Sequence, residues 1–228
     1  MGGADPRQPT SRRRRRRLWL LTAAAVAVAC GSYLALRSPP SDPSVPATVL
    51  LVGDSHQRGA LGELQAELVD RDAGVALVAN AFGGLGVKDS PYLVARVAGA
   101  LRATGGIDAV VVGLGTNDVV PEQTTADPAA HIDDIVDAAD GAPVLWLTLA
   151  TTMQDRPGAD EFNAALAAAT ERHPNLSLVD FGAAWDEHPE WFADDGLHLG
   201  LEGRQAYAEA VSDAVDELFE DEGEGGGS

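Results

Sequence analysis

The run Ala47-Thr48-Val49-Leu50-Leu51-Val52-Gly53-Asp54-Ser55-His56-Gln57-Arg58 decides the fold. Val49 to Val52 are consecutive apolar residues, and Gly53-Asp54-Ser55 ends them. A short apolar run halted by glycine predicts a buried strand. Asp or Ser directly after it predicts a turn into a helix N-cap. Ser55 is thereby placed at the carboxyl end of a first strand, where open α/β sheets keep their ligand crevice. A serine there works as a nucleophile only if a base, an orienting carboxylate and oxyanion donors arrive from later in the chain. The competing reading is that Asp54 and Ser55 do no more than cap a helix.

Outward from this stretch, strand and helix patterns alternate. Strands are predicted at 48–52, 75–79, 107–114, 143–149 and 176–180. Helices are predicted at about 57–72, 91–103, 128–140, 159–172 and 202–219. Leu61, Leu64 and Leu68 share a helical face, as do Phe162, Leu166 and Ala169. Alternation of this kind predicts an α/β fold, a parallel sheet of five strands covered by helices on both faces. One domain is expected over 47–219, followed by an acidic, Gly-rich and disordered tail at 220–228.

Before the domain, residues 12–17 are six arginines, and 18–36 carry no charge. Nineteen helical residues rise about 28 Å, close to a bilayer's hydrocarbon core. The expectation is a cytoplasmic Arg-rich N-terminus at 1–17 and a single transmembrane anchor or uncleaved signal at 18–36. A Pro/Ser linker follows at 37–46, with Pro39, Pro40, Pro43 and Pro46. The domain would then lie outside the cytoplasm. A cleaved signal peptide is an alternative. Lipidation is another, because Ala27-Val28-Ala29-Cys30 resembles a lipobox. Cys30 is the single cysteine, so no internal disulfide forms.

The formal net charge is −19. Residues 38–228 hold 8 basic and 34 acidic residues, a balance of −26. That excludes nucleic acid as a natural partner, since phosphate binding needs a basic face.

Two later loops carry distinctive polar residues: Gly115-Thr116-Asn117-Asp118 after the third strand, and Asp194-Asp195-Gly196-Leu197-His198 before the final helix. Acyl transfer needs such groups: a base for the serine proton, a carboxylate to hold the imidazole tautomer, and donors for the oxyanion. Asp195 and His198, three residues apart around a turn, can reach one pocket. The order Ser…Asp…His is allowed because triads are defined by geometry.

With Gly53-Asp54-Ser55, Gly115-Thr116-Asn117-Asp118 and Asp195-Gly196-Leu197-His198 in order, each after a predicted strand, the chain resembles the SGNH or GDSL-type hydrolases. The resemblance implies the flavodoxin-like three-layer α/β/α sandwich of that family. It implies Ser55 as nucleophile, His198 as base and Asp195 as its orienter. The Ser55 backbone N–H, the Asn117 side-chain amide and a glycine N–H would form the oxyanion hole. For that glycine the loop after strand two offers Gly83, Gly84 and Gly86, and spacing from Asn80 favours Gly84. Val144-Leu145-Trp146, Phe162-Asn163, Val179-Asp180-Phe181 and His188-Pro189-Glu190-Trp191 are similar to the SGNH domains attached to bacterial cell-envelope acyltransferases. That likeness implies a small acyl ester, on a small molecule or an envelope glycan, as substrate. No metal or cofactor is expected.

Other polar residues have plainer readings. Asp54 and Asp118 are read as structural, and His56 as pointing away from the site. His131, His173 and His188 show no partner in the sequence pattern. Trp185, Trp191 and Phe192 are read as packing, and loop 150–157 as a pocket rim. Asp194 is set aside because spacing to His198 favours Asp195. Rival functions are an O-acetyltransferase acting on envelope glycans, a metal-dependent phosphoesterase beginning at Asp54-x-His56, and a non-catalytic glycan-binding module. An α/β-hydrolase would need Gly-x-Ser-x-Gly, which Ser55-His56-Gln57 breaks.

Overall fold

A computed structural model of the chain describes residues 46–70, 75–101, 106–121, 125 and 127–225. The expected cytoplasmic stretch 1–17, the anchor 18–36 and all of the linker but Pro46 lie outside the described residues. Among the described residues no helix is long and apolar enough to cross a membrane.

Five strands form one parallel sheet: β1 (Ala47–Gly53), β2 (Val75–Ala81), β3 (Ala109–Gly113), β4 (Val144–Leu147) and β5 (Leu176–Val179), in the order β2-β1-β3-β4-β5. β1 pairs Val49 with Ala109 of β3 and with Leu77 of β2. Val49 to Val52 and Val110 to Val112 are entirely buried. Continuous apolar runs are what central parallel strands need, because both of their faces are covered.

The helices are α1 (Ser55–Gly59), α2 (Leu61–Gln65), α3 (Ser90–Leu101), α4 (Pro128–Ala138), α5 (Ala159–Thr170), α6 (Phe181–Asp186) and α7 (Leu201–Gly225). α2 packs against α7, while α3 packs on α4 and α4 on α5. The result is an α/β fold of helices on a five-stranded parallel sheet. Leu64, Leu68, Phe162, Leu166 and Ala169 are buried in its core, and Leu61 packs against it.

Several boundaries differ from those read in the sequence. The expected helix 57–72 starts earlier, at Ser55, because Asp54 Oδ1 accepts the His56 N–H at 2.9 Å and caps it. It then breaks at Ala60, resumes as α2 and ends in a wide π-type turn over Ala66–Asp70. α6 and a 3₁₀ turn at Pro189–Trp191 were not anticipated. Their six and three residues are too short for a readable period. α7 continues to Gly225, into the stretch expected to be disordered.

In this strand order the chain proceeds from β1 outward to β2, then crosses back to β3 on the other side. That reversal is the topological switch point, where α/β sheets form their crevice. Ser55 follows β1 and Thr116-Asn117-Asp118 follows β3, so both loops open at that place.

Candidate active site

Gly53 ends β1, and a Cβ there would collide with the Gln57 side chain, so only glycine lets α1 turn this tightly off the strand. The turn leaves Ser55 half-buried at the first position of α1. From the far end of the chain, the loop before α7 brings in His198. Its Nε2 lies 3.1 Å from Ser55 Oγ. Its Nδ1 lies 2.6 Å from Asp195 Oδ2.

The turn that carries the pair is built by Asp195 itself. Its Oδ1 accepts the Leu197 N–H at 3.0 Å and the His198 N–H at 2.9 Å. The bond from the His198 ring, followed by these two backbone bonds, holds the Asp195 carboxyl well below the usual carboxylate range. The ionised oxygen facing Nδ1 accepts, so Nδ1 carries the proton and Nε2 faces the serine hydroxyl as an acceptor. The side chains of Asp195 and His198 are 52% and 46% exposed, so this rim of the site is open to water.

Asn117 arrives from the β3 loop. Its Nδ2 donates to the Leu85 carbonyl at 3.0 Å, which leaves its second N–H uncommitted by that bond. Leu85 closes a turn through its own N–H to the Phe82 carbonyl at 3.2 Å, with Gly84 inside at φ +79. Phe82 N–H in turn donates to the Gly53 carbonyl at 3.0 Å, tying the glycine loop to the end of β1. Gly83 and Gly84 are exposed on this turn, whereas Gly86 is buried against Asp118, where a Cβ would sit 2.8 Å from Oδ1. Asp118 is structural in the plain sense. Both its oxygens take the Val87 N–H, at 3.1 and 3.0 Å, and Oδ1 takes the Thr125 hydroxyl at 2.6 Å.

Loop 150–157 straps the two polar loops together. Gln154 N–H donates to the Gly196 carbonyl at 2.9 Å, and Arg156 Nε donates to the Thr116 carbonyl at 2.8 Å. The loop's start is clamped by Asp186, which accepts the backbone N–H and hydroxyl of both Thr151 and Thr152. Its end lines an apolar cleft of about 370 Å³ with Val119, Pro128 and Phe162. Asn163 completes the support, bonding both the N–H and the carbonyl of Leu149 at 2.8 Å.

Sequence reasoning missed His56. It is 6% exposed and lies beneath the site, its ring edge-on to Trp185 at 5.0 Å and to His198 at 5.7 Å. Nε2 lies 3.0 Å from the Leu197 carbonyl, and Nδ1 lies 3.3 Å from Thr116 Oγ1 and 3.6 Å from Asp54 Oδ1. Burial pushes the imidazole below its ordinary value, against the upward pull of Asp54. Burial likewise pushes Asp54 up, against the pull of His56. The available signal was that Asp54-x-His56 puts a titratable pair across Ser55. The other histidines do have partners. His173 Nε2 lies 2.8 Å from Asp133, His188 Nδ1 lies 2.7 Å from Glu190, and His131 Nδ1 lies 3.8 Å from Asp134. Trp185 is buried and Trp191 and Phe192 are half-buried; Trp191 stacks on Phe181, and Trp185 stacks on Phe192.

The profile of GDSL-like lipases and acylhydrolases matches residues 50–206, which contain every loop just described. The chain belongs to that family, a class of carboxylic ester hydrolases. Over 102 residues, 45% of the chain, it is 33% identical to the O-acetyltransferase OatA of Staphylococcus aureus. Over 106 residues, 46% of the chain, it is 29% identical to the peptidoglycan O-acetyltransferase OatA of Listeria monocytogenes. The chain covers 15% of the length of either protein. Among solved structures, an acetyl esterase mutant with acetate ion aligns with a TM-score of 0.63 at 19% identity, over 77% of this chain and 99% of that one. TesA aligns with a TM-score of 0.61 at 23% identity, over 75% and 99%. Such identities speak for a shared fold.

Proposed function

We propose that the protein is a membrane-anchored, extracytoplasmic serine esterase that removes a small acyl group, acetyl, from an ester through an acyl-Ser55 intermediate. The single observation that carries this reading is the 3.1 Å approach of Ser55 Oγ to an imidazole whose other nitrogen is held by Asp195.

In this mechanism His198 Nε2 takes the Ser55 proton as Oγ bonds to the ester carbonyl carbon. The resulting oxyanion is met by the Ser55 backbone N–H, the second Asn117 N–H and the Gly84 N–H. Collapse breaks the bond to the leaving alkoxide, which receives the proton from His198. Water then gives its proton to Nε2, attacks the acyl carbon and releases the acid and the free Ser55 hydroxyl. Asp195 holds the ring in the Nδ1–H tautomer and favours the imidazolium formed in both halves. The exposed rim at Asp195 and His198 supports water as the acceptor.

The names of the OatA relatives favour a second reading, O-acetyl transfer to an envelope glycan hydroxyl, with the sugar replacing water in the second half. The uncharged 18–36 behind six arginines supports a membrane anchor in either case.

The test is p-nitrophenyl acetate hydrolysis by the full chain in detergent, repeated with Ser55→Ala and with chelator. Activity that vanishes in the variant and survives chelation is expected. Activity retained in Ser55→Ala would end the acyl-serine proposal, and loss in chelator would point to the metal-dependent rival. Supplying a glycan oligosaccharide and weighing the products separates transfer from hydrolysis. Alkaline carbonate extraction of cell membranes tests the anchor, which predicts retention in the pellet.

A further inference from the structure

Three of the four side chains assigned to the reaction have a sequence neighbour in a second, deeper set. His56 follows Ser55, Thr116 precedes Asn117, and Leu197 precedes His198. These three neighbours meet at one ring. His56 is covalently next to the nucleophile, its Nε2 lies 3.0 Å from the Leu197 carbonyl, and its Nδ1 lies 3.3 Å from the Thr116 hydroxyl. Three loops that come from separate strands are thus cross-linked directly beneath the surface on which the reaction occurs.

We propose that His56 is a positioning residue: its imidazole joins the Ser55, Asn117 and His198 loops and so sets the distance between the reacting hydroxyl and the base. The proposal rests on the acyl-serine reading for its kinetic consequence, though not for its geometry.

The chemistry fixes the ring's state. The Leu197 carbonyl can only accept, so Nε2 carries a proton and donates it. Nδ1 then presents a lone pair to the Thr116 hydroxyl. The groups facing this ring are Asp54 on the same turn, His198 in the Asp195 turn, Arg156 from loop 150–157 and Trp185 on α6. A neutral ring suits this place, because His198 must become an imidazolium in each half-reaction and a second cation 5.7 Å away would oppose it. The Leu197 bond matters geometrically because the other end of the same peptide, the His198 N–H, donates to Asp195 Oδ1 at 2.9 Å. That peptide is held at its carbonyl by His56 and at its N–H by Asp195, and the His198 ring is carried by the residue whose N–H is held. Positional errors of about 1 Å between reacting groups can cost about 10²-fold in rate.

The test compares His56→Leu with His56→Gln in the full chain. A glutamine amide can donate to the Leu197 carbonyl and accept from Thr116; leucine can do neither. With p-nitrophenyl acetate, His56→Leu should lose about 100-fold in kcat with KM little changed, as expected of misplacement rather than lost binding. His56→Gln should return to within about fivefold of wild type, the rate equivalent of one imperfect hydrogen bond. Wild-type kcat in His56→Leu would overturn the proposal, as would equal loss in both variants at unchanged Tm. If His56→Leu does not fold, Thr116→Val takes its place, with an expected loss of about fivefold in kcat; an unchanged kcat overturns the idea. Nitrogen-15 imidazole spectra read the same geometry without turnover. His198 should be the Nδ1–H tautomer in wild type and His56→Gln, and a mixture in His56→Leu or, where that variant does not fold, in Thr116→Val. An unchanged His198 tautomer in the variant tested refutes the positioning role even if the esterase reading has failed on Ser55→Ala.

Discussion

Two imidazoles lie 5.7 Å apart in this protein, and their surroundings are opposite. His198 is 46% exposed, held by a carboxylate on one nitrogen and facing a hydroxyl with the other. His56 is 6% exposed, held by a carbonyl on one nitrogen and facing a hydroxyl with the other. A ring held by a carboxylate at one nitrogen, with a hydroxyl at the other, is placed to receive that hydroxyl's proton in a reaction. Burial favours keeping the His56 ring neutral, against the upward pull of Asp54 and of the Leu197 carbonyl. The difference between a residue suited to move protons and one suited to hold backbone still is therefore a difference of surroundings, and residue type does not reveal it.

The comparison breaks most visibly at the exposed ring. His198→Ala should lower kcat/KM for p-nitrophenyl acetate by about 10⁴-fold or more, and Ser55→Ala should do the same. A His198→Ala protein with more than a tenth of wild-type activity would remove the base from the mechanism. Next in size is Asn117→Ala. Under the proposed mechanism it deletes an oxyanion donor, and it frees the Leu85 carbonyl, so kcat should fall about 10²–10³-fold. Steady-state kinetics read this directly; a change confined to KM would mean that Asn117 only shapes the glycine loop. Gly86→Ala acts on stability instead. Its Cβ would sit 2.8 Å from Asp118 Oδ1 and push on the carboxylate that anchors Val87. A loss of about 1–3 kcal/mol in denaturant unfolding is expected; an unchanged midpoint would show that the anchor gives way freely.

The sheet was legible because its signal is local. Val49 to Val52 and Val110 to Val112 are apolar runs of the right length, and parallel pairing follows from the intervening helices. The meeting of Ser55 with His198 was legible only through loops placed after strands, because no periodicity links residues 143 positions apart. His56 was illegible. A histidine after Ser55 has the same letters whether it faces solvent, metal or a buried carbonyl, and Leu197 offers only its backbone. The break at Ala60 was equally hidden, since Leu61, Leu64 and Leu68 keep helical spacing across the π-type turn that follows. The Asp186 clamp on Thr151 and Thr152 was missed because bonds to backbone N–H groups leave no pattern in side-chain identity.

The smallest effect is the sharpest test of the buried ring. An unfolded chain releases His56 to its ordinary value of 6.5, whereas burial in the folded protein pushes it lower. As pH falls through 6.5 the unfolded state takes up the proton first, so stability present above that value is lost toward acid. Asp54 has the opposite sign. Burial raises it, the folded state takes up its proton first, and its contribution is greatest at low pH and lost as pH rises through the folded value. The two can be separated by substitution. His56→Gln removes the first and leaves the second, so its Tm should fall less than wild type's on acidification from about pH 7.5 to about pH 5.5. The two profiles should diverge progressively as the pH falls through 6.5. Calorimetry of both proteins across that range decides it. Parallel Tm profiles would mean that the His56 ring accepts its proton as easily folded as unfolded.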